Sequence, residues 1–189
     1  MIWSRAIQRG VKYVNTPKIG INKFAFSSIV ADDIIKKNCI YLPKFFDDLT
    51  IFKKLEDELK NNNMVRCINH YKYENPSLSP TFNSIVDKLS KHFNLTVYST
   101  RLNYYRDGND CKPNHKYHPF EYFTVMASFG ASRTLDFMHL DSELDFKFPQ
   151  NNGDVFAFTS ELNYNFRYGF YKTMLNDPQF SIIVRGNKK

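Results

Sequence analysis

The sequence predicts an α+β chain that is mainly β, a sandwich or barrel braced by helices. Three observations carry this. From residue 95 onward, short runs rich in Val, Ile, Phe, Tyr and Thr recur between turn signals, the pattern of a sandwich or barrel. Before residue 95, two stretches keep apolar residues at the spacing of amphipathic helices. With 189 residues, 42% hydrophobic and 24% charged, the chain has enough material for one well-filled core but not for two.

Taken in order, residues 38–42 (Asn-Cys-Ile-Tyr-Leu) read as a short strand before Pro43. Phe45, Leu49, Phe52, Leu55 and Leu59 would share one face of a helix running on to Lys60. Asp47 and Asp48 suit its first turn, and Asn61-Asn62-Asn63 ends it. Residues 64–80, with Pro76 and Pro80, read as loop. A second helix is expected over 81–93, with Phe82, Ile85, Val86, Leu89 and Phe93 aligned. Beyond it, 95–98 and 102–105 read as two strands, followed by an Asp107-Gly108-Asn109-Asp110 turn. Further strands are expected at 122–129, 134–139, 155–158, 166–171 and 180–185, with a tight Asn151-Asn152-Gly153-Asp154 turn.

Charge divides the chain at residue 31. Arg5, Arg9, Lys12, Lys18 and Lys23 lie before it with no acidic residue, while 32–189 carries 21 basic and 19 acidic side chains. The net +7 therefore sits mostly in a basic arm, 1–31, ahead of a nearly neutral body, 32–189. Such a body gives little electrostatic basis for binding nucleic acid. An acid-free start with Ile2, Trp3, Ile7, Val11 and Val14 between its cations has the composition of a mitochondrial targeting segment. The same arm would also serve as a partner-binding tail. No apolar run is long enough for a transmembrane helix. Cys39, Cys67 and Cys111, odd in number and without zinc spacing, are expected as reduced thiols. Serine-hydrolase, P-loop, Cys-x-x-Cys and Rossmann signatures are missing.

Four segments carry a more specific signal. They are Asn103-Tyr104-Tyr105-Arg106-Asp107-Gly108-Asn109-Asp110 with His115 beyond it, then Ala127-Ser128-Phe129-Gly130-Ala131-Ser132-Arg133, then Gly153-Asp154-Val155-Phe156-Ala157-Phe158, and last Pro178-Gln179-Phe180-Ser181-Ile182-Ile183-Val184-Arg185. In order and spacing, together with the Tyr41-Leu42-Pro43-Lys44-Phe45-Phe46 entry, they resemble the AlkB-like 2-oxoglutarate/Fe(II) dioxygenases over about residues 38–186. The resemblance implies a double-stranded β-helix of jelly-roll type, braced by two or more N-terminal helices. It also implies iron on a His-x-Asp pair plus a distal His, which leaves positions for 2-oxoglutarate and oxygen.

At those positions this chain departs from the family. His115 remains, but Tyr117 stands where the Asp belongs and Tyr168 where the distal His belongs. A phenol, with a pKa near about 10, is a poor Fe(II) ligand at neutral pH. Of the residues the family uses on 2-oxoglutarate, Asn103, Tyr105 and Arg185 match, while Gln179 replaces the first arginine of the closing strand. An amide cannot supply a bidentate guanidinium–carboxylate pair. An alternative metal set of His115, His118 and His139 fits no standard spacing. The region corresponding to the family's nucleotide-recognition lid, 61–80, holds Arg66, Tyr71 and Tyr73 as the residues able to stack on a base.

The resulting expectation is a catalytically inactive AlkB-like fold with no bound cofactor. It would act as a structural or accessory subunit of a large mitochondrial assembly, a respiratory-chain complex ahead of the mitochondrial ribosome. Its partners would be other protein subunits, met through the arm and an aromatic surface, on the matrix side and attached to an inner-membrane complex. The contrasting expectations are an active Fe(II)/2-oxoglutarate enzyme with an atypical site, demethylating or hydroxylating nucleic acid or protein, and a stand-alone RNA-binding protein.

Overall fold

The computed structural model describes residues 23–115, 123–174 and 176–189, with backbone only for 23–30, 114 and 115. Its elements run α1 (Lys23–Asn38), β1 (Cys39–Leu42), α2 (Ile51–Leu59), β2 (Met64–Arg66), β3 (Tyr71–Tyr73), α3 (Pro80–Phe93), β4 (Leu95–Tyr105) and β5 (Lys112–His115). They continue through β6 (Phe123–Gly130), β7 (Arg133–His139), β8 (Asp145–Gln150), β9 (Val155–Phe158), α4 (Ser160–Asn165), β10 (Phe166–Phe170) and β11 (Gln179–Lys188). The strands form a seven-stranded sheet, β1-β9-β6-β11-β4-β3-β2, and a four-stranded sheet, β5-β10-β7-β8. All pairings are antiparallel. The two sheets face each other as a jelly roll, so the fold expected from the sequence is the one observed.

Strand alternation builds two cores. On the outer face of the large sheet, Phe180, Ile182 and Val184 of β11 join Val125, Ala127 and Phe129 of β6 against Leu55, Phe82 and Leu89 of α2 and α3. Between the sheets, Phe156 and Phe158 meet Phe137, Phe146, Phe148 and Phe166. Burying a ring of this size contributes roughly 1.5–3 kcal/mol. Most of the phenylalanines among the described residues fill these cores, and the exposed large aromatics there are Tyr98, Tyr164 and Tyr171.

Several elements differ from expectation. The first helix starts at Ile51, not near 45, because the Asp48 carboxylate accepts from the Thr50 amide at 2.8 Å and from its hydroxyl at 2.5 Å. That local turn competes with the helix, and Leu49 is left 78% exposed. Residues 64–73 form the β2–β3 hairpin rather than loop. The two strands expected in 95–105 are one strand broken by a bulge. Arg185 lies opposite Ser99 and Gly186 opposite Val97, leaving Tyr98 as the extra residue. At Gly186 a Cβ would strike the Thr96 carbonyl, so the approach needs glycine. The helices α1 and α4 and the strands β5 and β8 were not anticipated, and the compositional step at 31 falls inside α1. The second helix matches to within a residue. Ser79 caps it by accepting the Phe82 amide at 2.9 Å, with Pro80 in its first turn.

Among the described residues no helix is long and apolar enough to cross a membrane.

Candidate functional site

The bulge at Tyr98 aims the alternate residues of β4 and β11 in a defined way. Tyr105 lies opposite Gln179, Asn103 opposite Ser181, and Ser99 opposite Arg185. These side chains form a polar row on the inner face of the large sheet, across from the small sheet. Asn103 is 1% exposed and Tyr105 fully buried, and both line a cavity with Lys112, Thr124, Tyr168 and Arg185. The tight part of the cavity has a volume of about 10 Å³, room for about one water. Any organic occupant must be small or must shift the walls.

Neither atom of the Asn103 amide has a hydrogen-bond partner, and the Tyr105 hydroxyl has none either. A buried polar group left this way costs roughly 1–3 kcal/mol. An ordered water can supply the missing bonds of such groups. Burial pushes the Tyr105 phenol well above its ordinary range. Lys112 is pulled down to about 7, first by burial and then by the nearby Arg101 and Arg185 guanidinium groups. The lining therefore includes two basic side chains, Lys112 and Arg185, beside the Asn103 amide and the Tyr105 hydroxyl.

Gln179 is fully buried at the end of the same row. Its amide donates to the Gln150 carbonyl at 3.2 Å, and its Oε1 is unpartnered. It does not line the cavity, whereas Asn103, Tyr105 and Arg185 do.

The metal positions implied by the resemblance come together only in part. In the backbone register, Tyr168 of β10 lies opposite His115 of β5 on one side and Phe137 of β7 on the other. The Tyr168 ring, 5% exposed, stacks on Phe137 at 5.1 Å and 25° and meets Phe158 edge-on at 5.2 Å. Its ring is thus part of the aromatic core between the sheets. Tyr117 and His118 lie outside the described residues. His139 sits at the end of β7, opposite Phe166, with Nδ1 2.8 Å from the Ser142 hydroxyl. Among the described residues no three His, Cys, Asp or Glu side chains converge on a metal position. Chemically the donor set, one imidazole and two phenols by sequence, does not fit Fe(II). Asn103, Tyr105 and Arg185 are side chains of the types that bond a carboxylate, and all three line the one cavity.

Other motif residues have structural work. Arg106 makes a bidentate pair with Asp110, both contacts 2.9 Å, and lies over the Tyr71 ring at 4.6 Å. Those hydrogen bonds hold the Asp110 carboxyl below the usual range. Arg133 donates to the Asp110 carbonyl at 2.9 Å and to the Asp107 carbonyl, with its guanidinium over the Tyr105 ring at 4.8 Å. Together they clamp the 107–110 turn onto the start of β7. The lid-like residues divide. Tyr73 is buried against Phe180 and Tyr104, while Tyr71 carries Arg106.

Lys112 was not anticipated as a cavity residue. It lies opposite Phe170 while His115 lies opposite Tyr168, two inner positions of β10 that are two apart, although Lys112 and His115 are three apart in sequence. An irregularity in β5 absorbs the extra residue, and strand alternation alone does not reveal it.

The geometry can now be set beside known structures. A Pseudomonas putida prolyl-4-hydroxylase superposes with a TM-score of 0.61 at 10% identity, covering 86% of this chain and 98% of its own. The α-ketoglutarate-dependent epimerase SnoN from nogalamycin biosynthesis gives 0.64 at 10% identity, covering 88% and 84%. OsALKBH1 gives 0.55 at 11% identity, covering 78% and 97%. This is the fold of the 2-oxoglutarate/Fe(II) dioxygenases. At such identities the likeness establishes the dioxygenase fold and leaves the chemistry to the residues. No protein-family model matches the sequence, and no curated protein matches it.

Proposed function

We propose that the chain is a dioxygenase barrel without iron chemistry, used as a structural or accessory subunit of a large mitochondrial assembly, a respiratory-chain complex. One observation carries the loss of chemistry. The residue at the distal-histidine position, Tyr168, is stacked into the aromatic core on Phe137 and Phe158. A ring held there contributes packing. The replacement of the carboxylate position by Tyr117 points the same way.

The assembly reading rests on the basic, acid-free arm of residues 1–31 and on the nearly neutral body. Together they favour an imported protein whose partners are proteins rather than RNA. The Asn103, Tyr105 and Arg185 corner remains as a place for a small acid.

Two measurements test this. Purified protein is titrated with Fe(II) and 2-oxoglutarate while succinate is followed. No turnover above buffer is expected, and turnover lost in His115→Ala overturns the reading. Affinity isolation of the full chain from mitochondria is expected to recover it in a large particle, and deletion of residues 1–31 to release it. Recovery of a free monomer overturns the assembly role.

A further inference from the structure

The seven-stranded sheet ends on one side in β2, whose three residues are all exposed, Met64 at 43% and Val65 at 46%. Ile68, at the tip of the hairpin, is 89% exposed. The ladder with β3 fixes which way the backbone of β2 points. The Cys67 amide donates to the His70 carbonyl at 2.8 Å, and the Glu74 amide donates to the Asn63 carbonyl at 3.1 Å. Opposed residues of an antiparallel pair alternate between bonded and non-bonded. Val65 therefore spends its amide and carbonyl on Lys72, while those of Met64 and Arg66 point away from β3 to the open edge. Edge strands are ordinarily guarded by proline, lysine or a bulge. β8, at an edge of the small sheet, carries Lys147 and Pro149. β2 has none of these guards.

Charge selects the occupant. Residues 60–73 hold Lys60, Arg66 and Lys72 and no acid. Among the described residues none of these three cations is in an ion pair. The acids that bracket the stretch are Glu58, whose carboxylate accepts from the Ser79 and Thr81 hydroxyls, and Glu74. The basic arm repeats the same sign, with Arg5, Arg9, Lys12 and Lys18, and a second copy of β2 would bring like cations edge to edge. A nucleic acid meets the charge, but its phosphates only accept hydrogen bonds and would leave the Met64 and Arg66 carbonyls unmatched. An extended polypeptide matches donors and acceptors together.

We infer that β2 is a docking edge for an extended, acidic segment of a partner protein, which adds to the sheet as a further strand. Its main chain pairs with Met64 and Arg66. Arg66 on one face and Lys72 on the other meet its carboxylates, and Met64 and Val65 meet its apolar side chains. The inference gives a partner chemistry to the accessory role and rests on that reading only for where the partner comes from.

The experiment uses the full chain and a short, end-blocked fluorescent peptide of valine and glutamate, with a valine–lysine peptide as its counterpart. The acidic peptide is expected to bind, more weakly as salt rises, and the basic one is not. Met64→Pro keeps every cation and the bonds to β3 but removes an outward amide, and should weaken binding about tenfold. Arg66→Glu should reverse the preference between the two peptides. Amide exchange in the unmodified protein gives a readout that needs no variant. The acidic peptide should slow the Met64 and Arg66 amides and leave Val65 unchanged. Equal binding of the two peptides, or unchanged Met64 and Arg66 exchange at saturating acidic peptide, overturns the inference. So does tighter binding of oligothymidylate than of the acidic peptide, or a concentration-dependent dimer that protects the same amides without peptide. Recovery of a free monomer from mitochondria, with peptide binding intact, overturns the assembly role and leaves this edge standing. Recovery in a large particle without peptide binding overturns the edge alone.

Discussion

The two faces of the seven-stranded sheet follow different rules. On the outer face, Phe180, Ile182 and Val184 of β11 are fully buried among apolar neighbours, with Phe180 5.0 Å from Phe52 and 4.8 Å from Tyr104. On the inner face, the alternate residues of the same strand are Gln179, Ser181, Ile183 and Arg185, and two of these keep unpartnered buried atoms. One strand thus serves a core chosen for packing and a row that tolerates an energetic cost. The contrast separates what holds the barrel together from what the barrel was arranged to hold.

The sharpest way to break the outer face is Phe180→Ala, expected to destabilise by about 3–5 kcal/mol in denaturant titration. A loss below about 1 kcal/mol would show that the helix-facing core is not the main source of stability. On the small sheet, burial raises the Asp136 carboxyl to about 6, against 3.8 ordinarily, with Lys147 3.9 Å away. The folded state then holds the proton more tightly than the unfolded state. Stability should fall by roughly 3 kcal/mol as pH rises from about 4 to about 6 and stay level above that. Asp136→Asn should remove the slope.

Lys112 predicts the opposite trend. Its folded pKa of about 7 lies below the ordinary 10.5. The unfolded state therefore binds more protons between these values, and stability should rise with pH across that window. Lys112→Met should flatten the rise in thermal melts at several pH values. On the inner face, Asn103→Leu is expected to be neutral or to stabilise by about 1 kcal/mol, because it removes an unsatisfied amide at similar volume. A loss of more than about 1 kcal/mol would mean that the amide is bonded in solution and would weaken the contrast between the faces. Ser181→Ala, which removes a fully buried hydroxyl without a partner, should change stability least.

The outer face was easy to read from sequence because packing leaves periodic apolar residues. Leu55 and Leu59, or Phe82, Ile85 and Leu89, announce their helices by spacing alone. The inner row was readable only through motif likeness. Asn103, Tyr105 and Arg185 were placed by resemblance, and the structure puts all three around one cavity. Gln179 takes its place in the same row yet stands apart from the cavity. The failures came where local hydrogen bonds or irregular strands override periodicity. Asp48 delays α2, and the β2–β3 hairpin is three exposed residues paired with three others, too short to show alternation. Pro149 conceals β8, the strand at the edge of the small sheet. Lys112 was missed because β5 slips by one residue between its two pairings with β10.

The single extra residue at Tyr98 has a wider meaning. Without it, Leu95 and Val97 would share a side with Asn103 and Tyr105, and one end of the strand would present the wrong chemistry to the helices. Substitutions can erase a ligand or a cosubstrate contact one at a time while the chain still folds. A one-residue deletion in this strand would exchange its greasy and polar sides at once. The arithmetic of the backbone is therefore more durable than the identity of any side chain on it.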